Sequence, residues 1–155
     1  MEKIKLYRPV PKKFRISSGY GWRTDPLTKQ TGKFHKGYDF ATPVGTPITP
    51  MASGHIVKVG WENQNNHDQG FGFRIMQKIN LAKVYFLTYA HLSQAFVDPG
   101  HLVTARSVLG YTGNTGKSSG PHIHVGARLG DTWDWVDIEW VEPEQNFPLV
   151  KKEVA

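Results

Sequence analysis

Frequent glycine and proline residues constrain the fold of this chain more than any other feature. The 155 residues include 16 glycines and 10 prolines, and both residue types disfavour the interior of a helix. No stretch carries apolar residues at i, i+3, i+4 and i+7 over three turns, so helices should be few and short. Short β-branched and aromatic segments instead recur between turn residues. The pattern therefore predicts a mainly β chain.

Three segments predict strands most clearly. Gly54–Gly60 is β-branched and bounded by glycines. Phe73, Ile75 and Ile79 mark one face of the strand that follows a polar loop. Val84–Ala90 is apolar on both faces, which is typical of a central buried strand. Strands joined by regular turns predict antiparallel sheet folded on itself.

The length of the chain fits a single compact domain. We expect residues 1–15 to form a polar lead-in, 16–130 the core of the domain, and 131–155 a C-terminal segment that wraps over the sheet. No apolar run is long enough to cross a bilayer, so stable membrane insertion is not expected. The first residues lack the apolar core of a signal peptide.

Composition excludes several kinds of site. The chain has no cysteine, which rules out disulfides, thiolate metal sites and a cysteine nucleophile. Any metal must therefore be bound by nitrogen and oxygen, and the seven histidines make this possible. A net charge of +6 favours a polyanionic partner. The basic residues are not clustered among aromatics, so nucleic acid is not the expected partner.

His122 and His124 form the first candidate for chemistry. On a strand, residues i and i+2 point to the same face, whereas on a helix they diverge by about 200°. Pro121 and Gly126 flank the pair and favour an extended backbone. Two imidazoles on one face suit a bound cation. The alternative is a pair of surface histidines on an edge strand.

His35 and Asp39 form a second candidate, and His91 a third. In an extended chain i and i+4 share a face, and Gly37 leaves the space between the two residues open. His91 follows the buried strand, where functional side chains emerge; alternatively it only begins a turn. Catalytic zinc needs three protein ligands and an open position. His35, Asp39 and either His122 or His124 would supply them, and the remaining histidines would handle protons.

The flanking residues of these candidates match a known family. The matching segments are Phe34-His-Lys-Gly-Tyr-Asp-Phe-Ala, Pro43-Val-Gly-Thr-Pro-Ile, Tyr89-Ala-His-Leu-Ser and Gly113-Asn-Thr-Gly-Lys-Ser-Ser-Gly-Pro-His-Ile-His. In this order they resemble the zinc endopeptidases of the LytM/lysostaphin type, peptidase family M23. The resemblance covers roughly residues 17–126.

This resemblance implies both a fold and a set of site residues. The family fold is a compact antiparallel β structure with its metal site in a groove. One Zn²⁺ per chain would be bound by His35, Asp39 and His124, and the catalytic histidines would be His91 and His122.

The resemblance also implies a function. By this resemblance the protein would be a zinc endopeptidase that hydrolyses peptide cross-links of bacterial peptidoglycan. It would act as a monomer, in the periplasm or outside the cell. The absence of a signal peptide suits a bacteriophage lysin or an excised domain. The alternative is a non-catalytic LytM-like module that binds the wall or activates other hydrolases. Such modules lose metal ligands, whereas all five positions are filled here, so the enzyme is favoured.

Residues around the motifs favour one bond. Arg23-Thr-Asp-Pro-Leu-Thr and the glycine-rich stretch before His122 resemble the D,D-endopeptidase branch of the family. The tyrosine that some glycine-bridge-cleaving relatives carry before the first ligand is missing from 29–34. We therefore expect cleavage of the D-alanyl–meso-diaminopimelate cross-link. Arg23 and Lys33 could pair with its carboxylate, and Asn114 is a further candidate substrate-binding residue.

Overall fold

Strands form all of the regular secondary structure in the part of the chain that the computed structural model describes, residues 3–24, 28–29, 32–105 and 107–142. The mainly β prediction is confirmed, and these ranges contain no helix, so the few short helices expected are not found there. Nor do the same residues form a helix capable of crossing a membrane. The strands are β1 (Lys3–Tyr7), β2 (Ile16–Ser18), β3 (Gly21–Arg23), β4 (Lys33–His35), β5 (Tyr38–Ala41), β6 (Pro47–Ile48), β7 (Gly54–Trp61), β8 (Phe73–Asn80), β9 (Val84–Ala90), β10 (Leu92–Ala95), β11 (Leu102–Val103), β12 (Gly110–Thr112), β13 (His122–Leu129) and β14 (Trp135–Val141).

Nine of these strands form one sheet. Its order is β1-β14-β13-β9-β8-β7-β11, with β5 paired to β13 and β2 paired to β5. All of the pairs are antiparallel except β1 with β14, which is parallel. Strands β10, β12 and β6 form a small second sheet, and β3 with β4 forms a two-stranded ribbon. The predicted antiparallel architecture therefore holds for most of the molecule.

The predicted central strand lies between two long neighbours. Strand β9 pairs with β8 on one side and β13 on the other, and Leu87, Tyr89 and Ala90 are fully buried within it. Ile75 and Ile79 of β8 are buried as well, as their alternation predicts. This buried central strand ends at Ala90, directly before His91.

Both ends of the chain differ from expectation. The prediction of a polar lead-in over residues 1–15 is wrong, because this segment contains β1. Ile4 and Leu6 of β1 are buried, while Lys3 and Lys5 face solvent. This is a half-buried strand of period two, which two lysines within five residues disguise. The C-terminal segment does not wrap over the sheet between 135 and 141; it extends the sheet as β14, and 143–155 lie outside the described residues.

Candidate functional site

Strand β13 brings the three sequence motifs together because it lies between β5 and β9. His124 is in register with Asp39 of β5 on one side and with Ala90 of β9 on the other. His91 follows Ala90 directly, and His35 ends β4 four residues before Asp39. Directly paired residues have Cβ atoms about 5 Å apart. The sheet register therefore gathers residues that are up to 89 positions apart in sequence.

His35, Asp39 and His124 point three ligand atoms at one another. The Nε2 atom of His35 is 3.1 Å from Nδ1 of His124. Oδ1 of Asp39 is 2.9 Å from that Nδ1 and 3.4 Å from Nε2 of His35. Ligands about 2.0–2.2 Å from a tetrahedral zinc ion are about 3.3–3.5 Å apart. Two nitrogens and one carboxylate oxygen at these distances fit a zinc site.

Neighbouring groups fix the ionisation and tautomer of two members of this set. The Nδ1–H of His35 donates to the carbonyl oxygen of Gly19 at 2.9 Å, which leaves the Nε2 lone pair for a metal. Burial alone would raise the pKa of Asp39. The interactions of the carboxyl group with the neighbouring His124 and His35 outweigh this effect, so the pKa of Asp39 lies well below its usual range. Asp39 is therefore a carboxylate at neutral pH.

Gly37 allows the close approach of the first motif to β13. A Cβ atom at this position would lie 2.2 Å from the carbonyl oxygen of Val125 and 2.7 Å from the ring of His124. Both distances are far below van der Waals contact, and the first is to rigid backbone. The glycine between His35 and Asp39 is thus required by the packing of the site.

His91 and His122 lie beside the three-atom set, with ring centroids 4.7 Å apart. The Nδ1 of His91 is 2.6 Å from the carbonyl oxygen of Thr115, and the Nδ1 of His122 is 2.8 Å from that of Gly120. A carbonyl can only accept, so each Nδ1 carries the hydrogen and each Nε2 is a free acceptor. Burial and the neighbouring His122 lower the pKa of His91 to about 4. At neutral pH the His91 imidazole is therefore uncharged.

The backbone at His91 is itself unusual. Its φ of 63° is left-handed, a conformation that costs a non-glycine residue about 1–3 kcal/mol and concentrates at functional sites. The His91 N–H donates to the carbonyl oxygen of Phe71 at 2.8 Å, which helps to hold it. The turn that ends β9 thus aims the imidazole into the groove.

Two connected cavities form the groove in which these residues lie. One, of about 400 Å³, is lined by all five site residues, and the other, of about 630 Å³, shares Arg23, Asp39 and His122 with it. The remaining polar side chains of the larger cavity are hydroxyls. They belong to Ser17, Ser18, Thr24 and Ser119. The groove therefore extends beyond the candidate metal ligands, past Arg23 and His122.

The three candidate substrate residues occupy different places. Arg23 lines both cavities, contacts Ser18 and lies 3.7 Å from the Asp39 carboxylate. Lys33 is exposed opposite it in the ribbon. Asn114 does not line the described groove, and its Oδ1 accepts from Ser118 Oγ at 2.6 Å. Residues 25–27 of the segment begun by Arg23 lie outside the described residues.

Sequence reasoning missed three residues that support the site. Phe71 stacks on His124 with ring centroids 5.7 Å apart. Thr115 Oγ1 donates to the carbonyl oxygen of Leu92 and accepts from the Phe73 N–H. Ser118 Oγ lies 3.1 Å from Nδ1 of His122. No periodic pattern marks Phe71, whereas Thr115 and Ser118 lie in the glycine-rich stretch already noted before His122.

Sequence comparison finds relatives for most of the chain. Residues 33–136 match the model of peptidase family M23. The peptidoglycan DD-endopeptidase ShyA of Vibrio cholerae is 37% identical over 117 residues, 75% of this chain and 25% of the relative. Lysostaphin of Staphylococcus simulans is 37% identical over 106 residues, 68% of this chain and 20% of the relative. The chain thus spans about a quarter or less of the length of these relatives.

Solved structures agree with the sequence matches. The catalytic domain of lysostaphin from Staphylococcus simulans superposes with a TM-score of 0.67 at 31% identity, covering 81% of this chain and 89% of that domain. A zinc-containing peptidase from Vibrio cholerae gives 0.70 at 30% identity, covering 92% and 41%. The lysostaphin-type fold expected from the motifs is confirmed. The chain belongs to peptidase family M23.

Proposed function

We propose that this chain is a zinc endopeptidase that hydrolyses peptide cross-links of bacterial peptidoglycan. The convergence of His35, Asp39 and His124 in a groove, beside two histidines whose Nδ1 atoms are already engaged, carries the proposal. This is the donor set of a hydrolytic zinc site. A module that only binds the wall would not need all five groups. Relatives named as peptidoglycan endopeptidases support the substrate class.

The mechanism assigns one task to each group in the groove. His35, Asp39 and His124 would hold the zinc ion, which when bound polarises a carbonyl and lowers the pKa of a coordinated water. His91, which is uncharged and has its hydrogen at Nδ1, could accept a proton at Nε2. His122, whose ring lies beside that of His91, could present the same nitrogen. Between them the two imidazoles can orient the attacking water and return a proton to the leaving amine.

We propose the D-alanyl–meso-diaminopimelate cross-link as the bond that is cut. ShyA and lysostaphin are equally identical to this chain, so the proposal depends on the groove itself. Arg23 borders both cavities and keeps part of its side chain exposed. A diaminopimelate cross-link presents a carboxylate beside the scissile amide, and a guanidinium pairs well with it. A pentaglycine bridge presents no such group.

Two purified walls test this choice. We expect monomers to be released from diaminopimelate-type peptidoglycan at least about tenfold faster than from pentaglycine-bridged peptidoglycan, the effect of one charge-assisted hydrogen bond. Arg23→Gln should reduce this preference, with zinc content measured in parallel because Arg23 lies near Asp39. Release from the glycine-bridged wall alone would overturn the assignment.

Thr115 should be a positioning residue for His91. Thr115→Val removes the hydroxyl that accepts from the Phe73 N–H and donates to the Leu92 carbonyl. Without these two hydrogen bonds the backbone at residue 115 should move, and its carbonyl oxygen would no longer hold Nδ1 of His91 in place. We expect kcat to fall about tenfold or more with zinc retained and KM little changed, because an unpaired buried polar group costs about 1–3 kcal/mol. Thr115→Ser keeps the hydroxyl and should restore kcat. If Thr115→Val has normal kcat, the hydroxyl does not position His91.

A further inference from the structure

A second cleft lies between the β3–β4 ribbon and the turn that joins β13 to β14. It has a volume of about 400 Å³, and its walls are mainly aromatic. We propose that this cleft binds a sugar residue of the peptidoglycan glycan strand while the metal groove acts on the attached peptide. The proposal deepens the proposed function and rests on it for the identity of the polymer. The aromatic and charged residues that line the cleft are Tyr20, Phe34, Trp133, Trp135, Lys36 and Asp134.

The aromatic side chains at this cleft are unusually exposed. Trp133 is 84% exposed, and Trp22, whose ring meets Phe34 edge to face at 5.2 Å, is 74% exposed. Large aromatic side chains are normally mostly buried, so two exposed indoles beside one cleft indicate a binding surface. The Arg128 guanidinium lies 5.6 Å from the Trp133 ring centroid, and this cation–π contact helps to hold the ring in place.

The composition of the walls fits a sugar better than an apolar protein partner. Four of the seven lining residues are aromatic, two are charged, and only Val136 is aliphatic. A pyranose ring has an apolar C–H face bordered by hydroxyl and amide groups. The aromatic rings can pack against the C–H face, while Lys36 and Asp134 can form hydrogen bonds with the hydroxyl and amide groups. Protein interfaces are also rich in aromatic residues, but they are depleted in lysine and aspartate. The two charged residues in the lining, Lys36 and Asp134, therefore favour the sugar.

Ring contacts connect this cleft to the metal groove. Trp135 lines the cleft and meets Phe71 with centroids 6.5 Å apart, and Phe71 stacks on His124. Strand β4 carries Phe34 and His35 in succession, and side chains of successive strand residues point to opposite faces. Phe34 therefore lines the cleft while His35 binds in the site. The cleft and the metal groove are therefore neighbours on opposite faces of β4, so a glycan-linked peptide would have to reach from one to the other.

Assays on two substrates distinguish a contact with the sugar from a contact with the peptide. Trp133→Ala and Trp22→Ala are assayed on intact peptidoglycan and on a cross-linked peptide dimer freed of its glycan. We expect each variant to lose about fivefold to tenfold on intact peptidoglycan, the effect of one lost aromatic contact, and less than twofold on the dimer. Trp133→Tyr keeps an aromatic face and should recover most of the loss. Leu81→Ala, a change at an exposed apolar residue elsewhere, should have no effect.

Binding to glycan strands stripped of peptide tests the cleft independently of hydrolysis. The wild-type protein should bind these strands, with a change in tryptophan fluorescence that Trp133→Ala weakens about fivefold or more. Absence of binding by the wild type would overturn the proposal, and so would an equal loss on peptidoglycan and dimer, which would show that the cleft binds peptide. Failure of the chain to cleave either substrate, with glycan binding intact, would refute only the proposed hydrolytic function.

Discussion

His124→Ala is expected to lose bound zinc and hydrolytic activity together. Nδ1 of His124 is the central atom of the ligand set, because it lies 3.1 Å from Nε2 of His35 and 2.9 Å from Oδ1 of Asp39. With only two protein ligands left, the site should bind zinc too weakly to retain it during purification. Without zinc, no ion is present to lower the pKa of the attacking water. We expect activity to fall more than about 10³-fold. Zinc content by elemental analysis and release of cross-linked peptides measure the two losses.

A histidine outside the groove is the matched control. His55 is exposed on β7, so His55→Ala should keep one zinc per chain and full activity. Full zinc occupancy in His124→Ala would contradict the ligand set. A variant that loses activity while keeping zinc would place His124 among the proton-transfer groups instead.

His91→Ala and His122→Ala should lose turnover without losing the metal. Both imidazoles have Nδ1 bound to backbone carbonyls and offer Nε2 to the groove, which is the geometry of a general acid or base. Such groups contribute about 10²–10⁴-fold to rate. We expect kcat to fall by that amount in each variant, while elemental analysis still finds zinc and circular dichroism shows an unchanged fold.

The double variant refines this prediction. Because the two rings are 4.7 Å apart and face one reaction centre, their losses should not add fully, and the double variant should be less impaired than the product of the single effects. Either single variant purified without metal would identify that histidine as a ligand. If that variant is His122→Ala, the assignment of His124 over His122 as the ligand would need to be reversed.

Local pattern was enough to predict the long strands and the site motifs. The β-branched and aromatic run at Val84–Ala90 predicts a buried central strand, and β9 is that strand. The i, i+2 pairing of His122 and His124 holds because β13 is extended. These features depend on residues that are close in sequence, where side-chain alternation is fixed by the backbone.

Features that depend on distant partners were not predicted. Strand β1 is stabilised by its parallel pairing with β14, more than 130 positions away, and its lysines conceal its buried face. Phe71 lies in a glycine-flanked turn, and only the three-dimensional fold stacks it on His124. The residues alone left His122 and His124 open as the third ligand, and the family resemblance favoured His124, which the register of β13 places opposite Asp39. Such long-range contacts leave little signal in one sequence.

Restoring zinc to the metal-free protein tests the central claim most directly. Protein treated with a chelator is supplied with zinc stepwise, and the products released from purified diaminopimelate-type peptidoglycan are separated and identified by mass. We predict no cleavage before zinc is added, then activity that rises linearly and reaches its plateau at one equivalent per chain, with cross-linked dimers converted to monomers. Cleavage that persists in the chelated protein, or intact cross-links after one bound equivalent, would contradict the account.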